Sequence, residues 1–245
     1  MRGLQILVVT VMLLVVAIPF WNVFAPVEAD AGGDTERLDV VYGNYDLSVD
    51  IPSGLEDYYG SVPVPRMGIE QYRAFTFVMP DDPAVRVLAD RIVEATPMMS
   101  DLFRADFTVA VVHSIIEYRS DTDVHGVSDY WQYPAETLIS GEGDCEDHAF
   151  LLASLLEAMG MDTVLVFENG HVLVGVDVEG RDGNSVGYGG NQYLTADSTN
   201  GYRLGSSTVQ PLFVVPSDSP NVWTYAMLGG ALALFVVLLV ILRRV

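Results

Sequence analysis

Lysine is missing from this chain of 245 residues, and cysteine occurs once. A single cysteine excludes internal disulfides, so the fold must hold by burial and hydrogen bonding. Without lysine, all 12 basic residues are arginines, set against 33 Asp and Glu for a formal charge of −21. So acidic a surface repels phosphate backbones and anionic lipid faces, which argues against nucleic acid as a partner. Asp outnumbers Glu 21 to 12, a balance expected of adaptation to high salt. A phosphate-binding glycine loop is not indicated either: the glycines between Gly180 and Gly190 do not follow a strand and open a helix. There are no internal repeats.

Two uncharged apolar runs are present, Gly3 to Ala25 and Val222 to Leu242, each long enough for a bilayer crossing of about 20 residues. Arg2 precedes the first, and Arg243 and Arg244 follow the second, so the positive-inside rule puts both ends in the cytoplasm. Ala29-Asp30-Ala31 also resembles a signal cleavage site, which leaves the first run as an anchor or a removed signal. The expected organisation is an anchor or signal at 1–25, a linker at 26–35, an exported domain at 36–215, a linker at 216–221, a transmembrane helix at 222–242 and a cytoplasmic tail at 243–245. That places the chain in the cell membrane with its main domain outside. The exported part carries nine arginines against all 33 acidic residues.

Within the domain, Tyr72–Met79 alternates as a strand would. Asp82-Pro83 then opens a helix with a capping acid and proline at its first position, and Pro97 ends it. A second helix is expected from Leu102 to Tyr118. His113 lies on it and His125 follows it, both read as solvated or structural. Tyr130–Ile139 reads as an aromatic loop broken by Pro134. Thr163–Glu168, His171–Val178 and Gln192–Ala196 read as strands, with Asn169-Gly170 a strong hairpin turn between the first two.

The stretch GDCEDHAFLLASLLEAMG, Gly143 to Gly160, organises the rest. Asp144 and Asp147 give a helix start with acids in the first turn, where the helix dipole favours them. From Ala149 to Met159 the helix is apolar almost all round, which means burial. Cys145 sits at its N-terminus, where free N–H groups stabilise a thiolate. Two readings of this residue stand side by side, an activated nucleophile and an inert core thiol. A lone thiol in an exported protein is exposed to oxidation, which favours a functional reason for keeping it. Metal binding by Cys145, Asp147 and His148 is disfavoured because adjacent helical residues point apart.

If strand 171–178 folds back on strand 192–196 about a turn near Asn184, residues 171 and 197 stand opposite one another. Asp197 then lies beside His171, where a carboxylate orients the imidazole and stabilises its charged form.

These residues resemble the transglutaminase-like superfamily. The cysteine helix, preceded by WQYPAETLISGEGDC and followed by His171 in GHVLVGV and Asp197 in YLTADST, is similar to its bacterial and archaeal cysteine peptidase branch over a core of about 107–199. The resemblance implies an α+β fold, papain-like, with a buried cysteine-bearing helix packed on an antiparallel sheet. It implies a Cys145, His171, Asp197 triad acting on amide bonds of a peptide or protein substrate through a thioester; confined to the catalytic core, it does not imply calcium, and no cofactor or metal is expected. Trp131 or Gln132 is a candidate second oxyanion donor beside the Cys145 N–H. Where relatives carry an aromatic two residues after the histidine, this chain has Leu173. The acidic neighbours Glu146 and Asp147 oppose a thiolate, which keeps a non-catalytic binding or assembly module as the alternative. Without lysine the chain cannot crosslink itself, which favours hydrolysis over transfer.

Overall fold

The computed structural model describes residues 34–61, 65–201 and 203–217. The two apolar runs at the ends of the chain lie outside these residues. Among the described residues no helix is long and apolar enough to cross a membrane.

The scaffold is α+β. Strands β1 (Thr35–Leu38) and β4 (Val49–Pro52) pair antiparallel, and β2 (Val41–Tyr42) and β3 (Tyr45–Asp46) form a small hairpin between them. Helix α1 (Leu55–Ser61) and a 3-10 helix (Gln71–Phe77) follow. Tyr72–Met79 is therefore not a strand. Its alternation fits a period of two, but Ala74 and Phe77 are the buried pair, and a spacing of three suits the 3-10 turn. Phe77 stacks on Tyr133 and Phe150 and meets Trp131 edge-on, at centroid separations of 4.9, 5.3 and 5.3 Å.

Helix α2 (Pro83–Ala95) starts where the sequence indicates, with the Asp82 carboxylate accepting from the N–H groups of Ala84 and Val85 at 2.8 and 3.2 Å. Helix α3 (Asp101–Ile115) stops short of the expected Tyr118 because the chain straightens into β5 (Glu117–Tyr118). That strand pairs parallel with β6 (Glu142–Gly143), immediately before the cysteine helix. After the single turn α4 (Asp121–Val124), the expected aromatic loop contains α5 (Pro134–Ser140). Proline at a first helical position has no N–H to lose, and here it starts a helix instead of breaking a loop.

Helix α6 (Cys145–Ala158) is buried continuously from Cys145 to Leu156. It packs on α2, α3 and α5 and on β7 (Thr163–Glu168) and β8 (His171–Val176). Leu151, Leu152, Leu155 and Leu156 are fully buried, each contributing about 2 kcal/mol of transfer free energy. The main sheet is antiparallel and runs β11 (Phe213–Pro216), β7, β8, β10 (Asn191–Ala196), β9 (Ser185–Tyr188).

The sheet corrects the expected fold-back. Strands β8 and β10 do pair, but Ala196 faces Val174 and Leu194 faces Val176, which displaces the proposed 171 to 197 register by two residues. The cause is β9, which hairpins with β10 through Gly189-Gly190 and occupies the sheet edge. Both glycines have positive φ, 59° and 97°, the backbone such tight turns require. Asp197 lies one residue beyond β10, in a turn.

Candidate active site

Three pieces of chain meet at one corner: the start of α6, the start of β8 and the turn after β10. The tight Asn169-Gly170 turn puts His171 at the first pair of the β7–β8 hairpin, opposite Glu168. His171 Nε2 donates to Asp197 Oδ2 over 3.1 Å. The imidazole side chain is 27% exposed and the carboxylate 6%. Asp197 Oδ1 accepts from Thr199 N at 3.1 Å and Thr199 Oγ1 at 2.6 Å, and Oδ2 accepts from Asn200 Nδ2 at 2.6 Å. Burial acts to raise this carboxyl, but the donors from His171, Thr199 and Asn200 outweigh it and bring it to about 2. The Asp197 hydrogen bond in turn raises the His171 imidazole above its ordinary value.

Cys145 is the first residue of α6 and is buried. Its Sγ donates to Glu146 Oε2 over 3.1 Å and lies against the Val172 N–H, a contact that favours the thiolate. Val172 directly follows His171, so the thiol lies against the backbone at the start of β8. Burial first, and then the Glu146 carboxylate, push the thiol well above its ordinary value. In this arrangement the thiol is a protonated donor to Glu146.

Asp147 is the strut of the site. It is fully buried, and it accepts from Gln132 N at 2.8 Å, Gln132 Nε2 at 2.9 Å and Asp144 N at 3.3 Å. Burial pushes this carboxyl up to about 8 against the pull of the Gln132 donors. Gln132 Nε2 also donates to Glu142 O at 3.1 Å, so both amide hydrogens serve the protein's own frame. Trp131 packs on Phe77, Phe150 and Phe167. Its backbone is gripped twice by Arg66, whose O accepts from Trp131 N at 2.9 Å and whose Nη1 donates to Trp131 O at 3.1 Å. The sequence candidates for a second oxyanion donor thus stand in the wall behind the helix start, with the Gln132 amide engaged.

Arg66 itself was not singled out from sequence. Its guanidinium is bidentate to Glu136 at 2.7 and 3.0 Å, donates to Tyr59 O at 2.7 Å, and lies 4.0 Å from the centroid of Tyr133. Glu136 Oε2 also accepts from Tyr133 N at 2.7 Å, fastening the start of α5. Thr199 and Asn200 were also passed over. Their signal was the polar run Asp197-Ser-Thr-Asn, whose side chains bind local backbone and each other in turns.

His148 is buried, and that burial pushes its imidazole down to about 4, so it is neutral at neutral pH. Among the described residues neither ring nitrogen has a partner. The set Cys145, Asp147, His148 is not assembled: Asp147 turns to Gln132 and Cys145 to Glu146. Carboxylates do converge around the same helix start. Asp121, Asp129 and Glu146, and also Asp121, Asp144 and Asp147, bring oxygens within 4.8 Å of one another. All-oxygen donors of this kind suit a hard cation, and among the described residues they could hold one, as could the set Asp144, Cys145 and Glu146. Burial raises Asp121 to about 6 and Asp144 to about 8. His113 and His125 make no hydrogen bond to Cys145 among the described residues. His113 Nδ1 donates to Ser198 O over 3.0 Å, and the His125 ring lies tilted against Tyr130 with centroids 4.2 Å apart.

No protein-family model matches the chain, and no curated protein matches it. Among solved structures, LapG of Legionella pneumophila, in an EGTA-treated form, is similar at 16% identity and a TM-score of 0.40, over 60% of this chain and 82% of that one. A protein of Cytophaga hutchinsonii described as a candidate cysteine protease is similar at 17% identity and a TM-score of 0.34, over 58% of this chain and 49% of that one. This chain therefore spans about half the length of the second. The reading of the site rests on its own geometry.

Proposed function

We propose that this chain is a membrane-anchored, extracytoplasmic cysteine enzyme of the transglutaminase-like type, acting on amide bonds of a peptide or protein. The observation that carries this reading is the shared corner. A thiol at the head of a buried helix lies against the Val172 N–H, while the preceding His171 donates to Asp197 over 3.1 Å. Asp197 accepts the Nε2 proton, which leaves Nδ1 of neutral His171 as the base.

The reaction runs as acyl transfer. Rotation of Cys145 away from Glu146 lets His171 Nδ1 take the thiol proton. Sulfur then bonds to the amide carbon, and the Cys145 N–H, which has no intrahelical partner at the helix start, faces the developing oxyanion. His171 returns the proton to nitrogen as the C–N bond breaks, releasing an amine and leaving a thioester. Water or an amine then resolves the thioester. With no lysine in the chain, self-crosslinking through lysine is excluded and hydrolysis is favoured.

The full chain incubated with a peptide library and followed by mass spectrometry tests this. New termini or amine adducts are expected, and they should vanish in both Cys145→Ala and His171→Ala. Products that persist in either variant would refute the triad. The second reading, a non-catalytic binding or assembly module at the cell surface, is favoured by the Cys145 to Glu146 hydrogen bond, which holds the thiol protonated. It predicts iodoacetamide labelling of Cys145 that is unchanged by His171→Ala.

A further inference from the structure

The acid of the site is not fixed by the sheet. Strand β10 ends at Ala196, so no ladder holds Asp197. The turn that follows does. Each carboxylate oxygen takes two donors: Oδ1 from Thr199 N and Oγ1, Oδ2 from Asn200 Nδ2 and His171 Nε2. The side-chain donors from the turn stand at 2.6 Å and the imidazole at 3.1 Å. The carboxylate is therefore held by the turn, and the histidine comes to it.

The turn is itself clipped from behind. His113 Nδ1 donates to Ser198 O over 3.0 Å, and Ser198 Oγ donates to His148 O over 3.4 Å. Gly201 adopts φ +62°, and a Cβ there would meet His113 Cδ2 at 2.5 Å. The imidazole of His113 thus fills the space where a side chain at 201 would stand. Helix α3, the cysteine helix and β8 all reach this turn, bringing His113, His148 and His171 toward Asp197, with Glu168 acting on His171 from β7.

We propose that the turn Asp197–Gly201, clipped by His113, is a positioning device in which Thr199 and Asn200 lock the carboxylate so that neutral His171 keeps its proton on Nε2 and offers Nδ1 to the thiol. The proposal rests on the reading of Cys145, His171 and Asp197 as a triad. A carboxylate free to rotate would leave the imidazole two tautomers, one of which points an N–H at the sulfur and cannot act as base. Thr199, Asn200 and His113 act through Asp197 and touch no reacting atom.

The test uses the full chain with nitrogen-15-labelled histidine, of which there are four residues. Two-bond nitrogen–proton correlations separate the tautomers of each ring. The unaltered chain is expected to show neutral His171 with its proton on Nε2 and His113 with its proton on Nδ1. Asn200→Ala removes an exposed side chain and leaves the core intact. In Asn200→Ala and in Thr199→Ala, His171 is expected to become a mixture of tautomers, and iodoacetamide labelling of Cys145 to slow several-fold. Thr199→Ser, which keeps the hydroxyl, should restore both. Neutral His171 remaining wholly Nε2-protonated in both alanine variants would overturn the proposal. If the tautomer responds while Cys145 labelling is indifferent to His171→Ala, the positioning device stands and the enzyme reading fails.

Discussion

Cys145 and Glu146 are consecutive residues joined side chain to side chain, with Sγ donating to Oε2 over 3.1 Å in a site where both are 8% exposed. Neighbours on a helix normally face apart, and here the contact forms at the first helical residue. The charge that holds the thiol also keeps it protonated.

Removing that charge should release the thiol. In Glu146→Gln, iodoacetamide labelling of Cys145 at neutral pH is expected to rise about tenfold, the change that one unit in thiol acidity produces. A rate equal to that of the unaltered chain would mean that burial alone controls the sulfur.

The Arg66–Glu136 pair has side chains only 9% and 12% exposed. Arg66→Ala leaves Glu136 buried without its partner and frees the Trp131 and Tyr59 carbonyls, so a loss of about 3–5 kcal/mol is expected in denaturant unfolding. Arg66→Lys should recover only a minor part, because an ammonium cannot make the bidentate contact. Full recovery with lysine would mean that charge alone matters here.

Leu155 is fully buried in the middle of the cysteine helix. Leu155→Ala is expected to cost about 2–5 kcal/mol, measured by the same unfolding. A cost below that of a single methyl group would place this face of the helix outside the core.

Stability should depend on pH in two directions. Asp144 and Asp147 are raised from 3.8 to about 8 in the folded chain, and His171 is raised from 6.5. For all three the folded state binds its proton more tightly, so stability falls as pH rises, from about 4 to about 8 for the two carboxyls and from about 6.5 upward for His171. Asp197, lowered to about 2, contributes stability above the ordinary carboxylate range that is lost as pH falls through about 4 to about 2. Calorimetric midpoints across this range should show both slopes. Asp144→Asn should make the fall with rising pH shallower.

The sequence disclosed the cysteine helix because it is apolar nearly all round, and helix α2 because Asp82 and Pro83 carry a start signal in their own chemistry. Asn169-Gly170 disclosed the β7–β8 hairpin in the same local way. The pairing of His171 with Asp197 emerged from a register that was two residues off, since the Gly189-Gly190 turn and strand β9 decide how β10 lies. Phe77 was misread for a related reason: alternation in YRAFTFVM is a local pattern, whereas its ring is claimed by Trp131, Tyr133 and Phe150 from distant segments. The Arg66–Glu136 tie spans 70 positions, and no local signal announces such a contact.

The double grip of Arg66 on the Trp131 backbone bears on how the protein can be cut. A fragment beginning at Phe107 would keep Cys145, His171 and Asp197, yet it would lose Arg66, Phe77 and helix α2. Its Trp131–Gln132 segment would lack an outer support, and much of the apolar face of the cysteine helix would meet water. For expression and protease-trimming work, a useful piece therefore starts before Tyr59 and Arg66, well before Cys145.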